Sequence, residues 1–217
     1  IDPGAERALR DLSVRNDIIK TMHRAMTRDG GRFDPAALAL HSKTPSDPIV
    51  GRLVERGLQD ELAGSAYAIV DGTDGRTHHL RFDDMDMTGD ARPGAIVELR
   101  SWEDAKGQTR LSLATRSDVP LADQNSSPGA TWLDRQIVAR EPVTTGNCFG
   151  LEVRNAMEAR AHHLEAQGLA RRQGQRLIFA QDLIGTLRNE ELASTAQAIA
   201  ARTGLEHKSS SSGEYVS

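Results

Sequence analysis

The hydrophobic pattern along the chain changes period twice. At the start, Ala5, Ala8, Leu9, Leu12, Ile19, Met22 and Met26 recur at helical spacing on one face. Arg7, Arg10, Arg15 and Arg24 fall mostly off that stripe. Asp2-Pro3 supplies a helix start, because an aspartate side chain caps free N–H groups and proline suits the first turn. Asp29-Gly30-Gly31 supplies the stop, and a loop with Pro45 and Pro48 closes the segment. Residues 1–46 are therefore expected to be helical.

From residue 47 the period shortens towards two. The runs at 49–58, 65–72, 76–82, 95–100 and 109–116 are short, partly alternating and often β-branched. Asp71-Gly72-Thr73-Asp74-Gly75 has hairpin chemistry and lies between two of them. These short strands predict a small antiparallel β-barrel of the OB or SH3-like kind over 47–119. The stretch 120–130, PLADQNSSPGA, reads as a linker.

The helical period returns over 131–207. A short helix at 131–141 has Thr131 as its cap and Pro142 as its terminator. A longer helix runs from Phe149 to Gln167, and Gly168 ends it. Two short strands follow around Gln173-Gly174, and a last helix starts near Gln181-Asp182 and reaches about Arg202. The tail KSSSSGEYVS at 208–217 is expected to be mobile. Helix, tight hairpin, helix is the winged-helix layout, with a reading helix at 151–167 and a wing at 170–179. The expected fold class is thus α+β, with helical winged-helix-like segments flanking a small barrel. IDPGAERALRDLSV at 1–14 also echoes FAQDLIGTLRNEEL at 179–192. By that echo, 1–46 would be the end of a truncated winged helix, and the chain a piece of a longer protein.

Composition narrows the function classes. The 217 residues fit one large domain or two to three small ones. Aromatic residues are only 4%, which argues against a base-stacking surface for single strands. A net charge of −4 argues against polyanion binding over the whole surface. The acidity concentrates in the middle, around Asp83, Asp84, Asp86 and Asp90, so a nucleic-acid site belongs on the flanking segments. The barrel then reads as a structural or protein-contact element. A single Cys148 excludes an internal disulfide and any zinc site needing two cysteines. No apolar run approaches the roughly 20 residues that span a bilayer, and no signal peptide is visible. The expectation is a cytoplasmic protein with no membrane partner.

Two histidine pairs raise the question of a metal. His162-His163 sits on a helix, where neighbours point about 100° apart, whereas helical chelation uses residues three or four apart. His78-His79 sits on a strand, which sends the two rings to opposite faces. Neither pair reads as a metal site, and no cofactor is implied. The arginines point elsewhere. Arg154 and Arg160 on the reading helix, with Arg171, Arg172 and Arg176 on the wing, are the candidate DNA-binding residues, because guanidinium groups pair with phosphate oxygens and guanine edges. Glu152, Glu158 and Glu165 are interleaved with them, so a salt-bridged solvent face is the competing reading. No nucleophile elbow or phosphate loop is present, and no catalytic residue is assigned.

Longer stretches carry a resemblance. TWLDRQIVAREP, CFGLEVRNAMEARAHHLEAQGLARRQGQRLIF and DLIGTLRNEELASTAQAIAARTGL resemble the C-terminal region of VirD-like relaxases, the mobilisation nucleases of conjugative plasmids and integrative elements. ERALRDLSVRNDIIKTMHRAM and IVGRLVERGLQDELAGSAYAIVDGTDGRTHHL match the same region in order. Relaxases nick one DNA strand at an origin of transfer through a tyrosine and escort it through a type IV secretion channel. Their catalytic tyrosine and metal-binding histidines belong to an N-terminal domain whose motifs have no counterpart here. The resemblance implies a non-catalytic accessory region, with origin DNA, relaxosome proteins or secretion coupling proteins as its partners.

Overall fold

The computed structural model describes residues 2–41 and 44–211. They form two compact units, one from the described residues up to 122 with 143–155, the other from 123–142 with the described residues from 156 onward.

The first unit opens with helix α1 (Pro3–Thr27), whose free N–H at Gly4 is capped by the Asp2 carboxylate at 3.0 Å. Six strands follow: β1 (Leu38–Leu40), β2 (Val50–Asp60), β3 (Ser65–Gly72), β4 (Thr77–Phe82), β5 (Ile96–Glu103) and β6 (Thr109–Ser117). They make one sheet in the order β1-β4-β3-β2-β5-β6. All neighbours are antiparallel except β1 and β4, which run parallel with Leu40 opposite His79.

The expected closed, antiparallel barrel is corrected here: the sheet is mixed and open, because β1 and β6 are left as edges. It does curl. Asp83, just after β4, ion-pairs with Arg110 of β6 across three intervening strands. At about 4.8 Å per strand, a flat sheet would hold those two strands some 19 Å apart. The inner face carries Leu53, Ala66, Ala68, Val70, Leu80, Phe82, Val97 and Leu113 in one buried cluster. The outer face carries Ile69 and Tyr67, against which α1 packs Met22 and Ala25. Residues 1–46 are thus no separate segment, since α1 and β1 share the sheet's own unit. A bulge between Leu53 and Glu55 turns both Val54 and Glu55 towards the helix side. There Glu55 pairs with Arg24 of α1 and with Arg28, the residue that follows the helix, and accepts the Tyr67 hydroxyl at 2.6 Å.

Helix α2 (Leu121–Gln124) leads to α3 (Trp132–Val138), α4 (Phe149–Ala166), the strands β7 (Ala170–Gln173) and β8 (Arg176–Phe179), and α5 (Leu183–Ser211). The first residues of α4, up to Asn155, belong to the first unit. There Arg52 of β2 bonds Asp71 at 3.1 Å and Glu152 at 3.0 Å, with its guanidinium 4.5 Å above the Phe149 ring. The expected order of helix, hairpin and helix is present. The last helix runs on to Ser211, so the first residues of the expected mobile tail are helical and 212–217 lie outside the described residues.

Candidate functional site

The second unit is organised around one buried ion pair. Thr131 and Asp134 form a reciprocal capping box at the start of α3: Asp134 N–H donates to the Thr131 hydroxyl at 3.2 Å, and Thr131 N–H donates to the carboxylate at 2.7 Å. That carboxylate also receives Arg160 of α4, Nε at 2.8 Å and Nη2 at 3.0 Å, with both side chains fully buried. The rest of the guanidinium donates to the carbonyls of Ser127 at 2.6 Å and Gly129 at 3.0 Å. Arg160 therefore holds the loop 125–129 rather than presenting charge to solvent. Its candidacy as a DNA contact is corrected: no face of this guanidinium is open to a phosphate.

Helix α4 ends in a way that aims the hairpin. Gly168 takes a positive φ of 76°, its N–H bonds the Glu165 carbonyl, and Leu169 N–H reaches back to the Leu164 carbonyl at 2.9 Å. This is a Schellman motif, and Leu169 packs with the buried Leu164 as such caps require. The chain leaves straight into β7. Strands β7 and β8 pair Ala170 with Phe179, Arg171 with Ile178, Arg172 with Leu177 and Gln173 with Arg176. Gly174 opens the two-residue turn with φ 62°, and Gln175 has no positive φ, which is the type II′ pattern.

Register then sorts the three arginines. Cross-strand partners share a face and neighbours along a strand alternate. Ala170, Arg172, Leu177 and Phe179 therefore share the inner face, where Ala170 and Phe179 join Leu164, Leu183 and Leu187. Arg171, Gln173, Arg176 and Ile178 share the outer face, and all four are exposed. Arg172 is held 3.5 Å from Glu165 of α4. Among the described residues, Arg171 and Arg176 have no carboxylate partner. Arg154 lies on the part of α4 that belongs to the first unit, where it donates to the Thr145 carbonyl at 2.8 Å. The five candidates thus divide into one buried strut, two tethered side chains and two free ones.

The histidine pairs diverge as their periodicity dictates. His162 lies 3.5 Å from Glu165, while the Nε2 of His163 is enclosed without a hydrogen-bond partner among the described residues. On β4, His79 stacks on Tyr67 with centroids 5.5 Å apart, on the α1 side of the sheet. His78 is buried, with Nε2 2.9 Å from Asp74 and Nδ1 2.8 Å from Nε2 of His41. This Asp74–His78–His41 chain was not foreseen. Asp74 and His78 stand four apart across a turn, but His41 arrives from just beyond β1, which is too short for its period to register. Among the described residues, no three His, Cys, Asp or Glu side chains converge as metal ligands.

Against known families, the chain matches the family described as a protein of unknown function, DUF3363, over residues 1–109 and 100–217. It belongs to that family. No curated protein and no solved structure matches it.

Proposed function

We propose that the chain is a non-catalytic accessory module of a conjugative relaxase that helps hold origin-of-transfer DNA, with α4, the β7–β8 hairpin and α5 acting as a winged helix. The observation that carries this reading is the outer face of the hairpin. Arg171 and Arg176 stand there on one side of a two-stranded ribbon, exposed and without a carboxylate to satisfy them. Unpaired guanidinium groups on a projecting ribbon suit phosphate oxygens, and such contacts position a protein on DNA without reading its sequence. The resemblance to relaxase C-terminal regions supplies the DNA.

Fluorescence anisotropy of labelled origin duplex, titrated with salt, tests it on the full chain. The expected result is affinity falling steeply with salt. Arg171→Ala with Arg176→Ala should weaken binding and flatten the slope of log K against log salt by about 2. Absence of binding at low salt, or an unchanged slope in the double variant, would sink the proposal.

A second reading is a protein-contact module for relaxosome or secretion coupling proteins. It is favoured by the exposed stripe Leu192, Ala196 and Ile199 on α5, at helical spacing on one face, together with the net negative charge. Under it, Leu192→Glu with Ile199→Glu abolishes capture by coupling-protein domains and leaves DNA binding as it was.

A further inference from the structure

The first unit contains a cleft of about 630 Å³ between α1, β1 and β4. Its floor is aliphatic, made by Val14, Ile18 and Ile19 of α1 with Leu38 and Leu40 of β1. Its rim is cationic: Arg15 comes from α1, Arg76 and Arg81 from the two ends of β4, and His41 from just beyond β1. Among the described residues, Asp11 is the one carboxylate lining it. Elsewhere in this unit Arg24, Arg28, Arg52, Arg110 and Arg116 each sit within ion-pair distance of an Asp or Glu. Arg15, Arg76 and Arg81 do not, among the described residues, and neither do Arg7, Arg32, Arg92 and Arg100 outside the cleft; what marks these three is that they line one cavity, where all three are exposed.

Clustering unpaired cations around a cavity is electrostatically unfavourable while it is empty and favourable once an anion enters. Guanidinium forks match phosphate oxygens, and a concave aliphatic floor takes the flat apolar face of a base. The volume lies in the range of small-molecule sites. The Asp74–His78–His41 chain fixes the ring at the rim, since His41 Nε2 is already committed to His78 at 2.8 Å. We propose that this cleft is a binding site for one nucleotide, its phosphate held by Arg15, Arg76 and Arg81 and its base laid on the aliphatic floor. The site takes either a free nucleotide or one nucleotide of a single strand. It stands on the first unit alone and is independent of the hairpin reading, whose test uses duplex DNA.

Isothermal titration of the full chain compares thymidine monophosphate, thymidine, inorganic phosphate and tetrathymidylate. The monophosphate is expected to bind about tenfold or more tightly than thymidine or phosphate alone, because both halves of the site are needed. Arg76→Ala with Arg81→Ala should weaken it about tenfold or more, whereas Arg92→Ala, an exposed arginine outside the cleft, should not. Both substitutions of the pair are at exposed positions, so the fold is retained. In the wild type, the His41 ring resonances should shift on titration. Tighter binding of tetrathymidylate identifies a strand as the source, and weaker binding identifies a free nucleotide. Inorganic phosphate binding as tightly as the monophosphate, or the double variant binding unchanged, would overturn the proposal. A chain that binds the monophosphate but not duplex DNA would refute the hairpin reading alone.

Discussion

His79 shows what burial does to a single side chain. Enclosure under α1, and then the charge of Arg81, bring its imidazole down from 6.5 to about 4. Above the ordinary histidine value neither folded nor unfolded chain carries the proton, and stability is unaffected. Between that value and about 4 only the unfolded chain takes it up, so stability falls as pH drops, by on the order of 3 kcal/mol in all. His79→Phe keeps the ring against Tyr67 and removes the titration. Urea denaturation across this window should show a flatter acid limb in the variant; an unchanged limb would place the proton uptake elsewhere. The opposite case is Arg160, a fully buried charge with every donor direction engaged. Arg160→Ala would strand Asp134 and the carbonyls of 127 and 129, and should cost about 3–5 kcal/mol. Arg160→Lys should not rescue it, since an ammonium cannot reproduce the planar fork. Denaturation followed at the buried Trp132, in a Trp102→Phe background, reads this directly; wild-type stability in Arg160→Ala would refute the role given to the network.

The hairpin makes the case at the level of the element. Its direction comes from the Schellman cap of α4, and its twist from the type II′ turn at Gly174. A β-branched residue cannot take φ 62° without strain, so Gly174→Val should destabilise the hairpin by about 1–2 kcal/mol. Amide exchange in β7–β8 should accelerate while β3–β4 stays protected. Equal protection in the variant would show that the turn does not set the hairpin. Helix α1 shows the limit of reading an element from its period. Its apolar stripe is real, but Met22 is buried against the sheet while Leu9 is 69% and Leu12 57% exposed. Periodicity says that a face could be covered, not that it is. Strand β1 shows the reverse: three residues carry no alternation, so only the parallel pairing with β4 reveals it.

Across the whole molecule the same distinction separates the arginines. Their number and positions, with a net charge of −4, allow either a salt-bridged surface or a polyanion site. Folding assigned them individually, putting Arg160 in the interior, tethering Arg154 and Arg172, and leaving Arg171 and Arg176 on one exposed face. The cleft with Arg15, Arg76 and Arg81 was out of reach of any sequence window, because its walls come from α1, β1 and β4. What the sequence determined by itself is local: the five main strands within a few residues, the caps at Asp2 and Thr131, the turn glycines, and the run of helix, hairpin and helix. Those features rest on backbone geometry and on neighbours within a few positions, which a linear pattern records. The tertiary structure alone decided that the sheet is mixed and open, that α1 joins it, and which arginines are spent inside. Each of those outcomes depends on which distant surfaces meet, and on whether a charge finds its partner before it finds water.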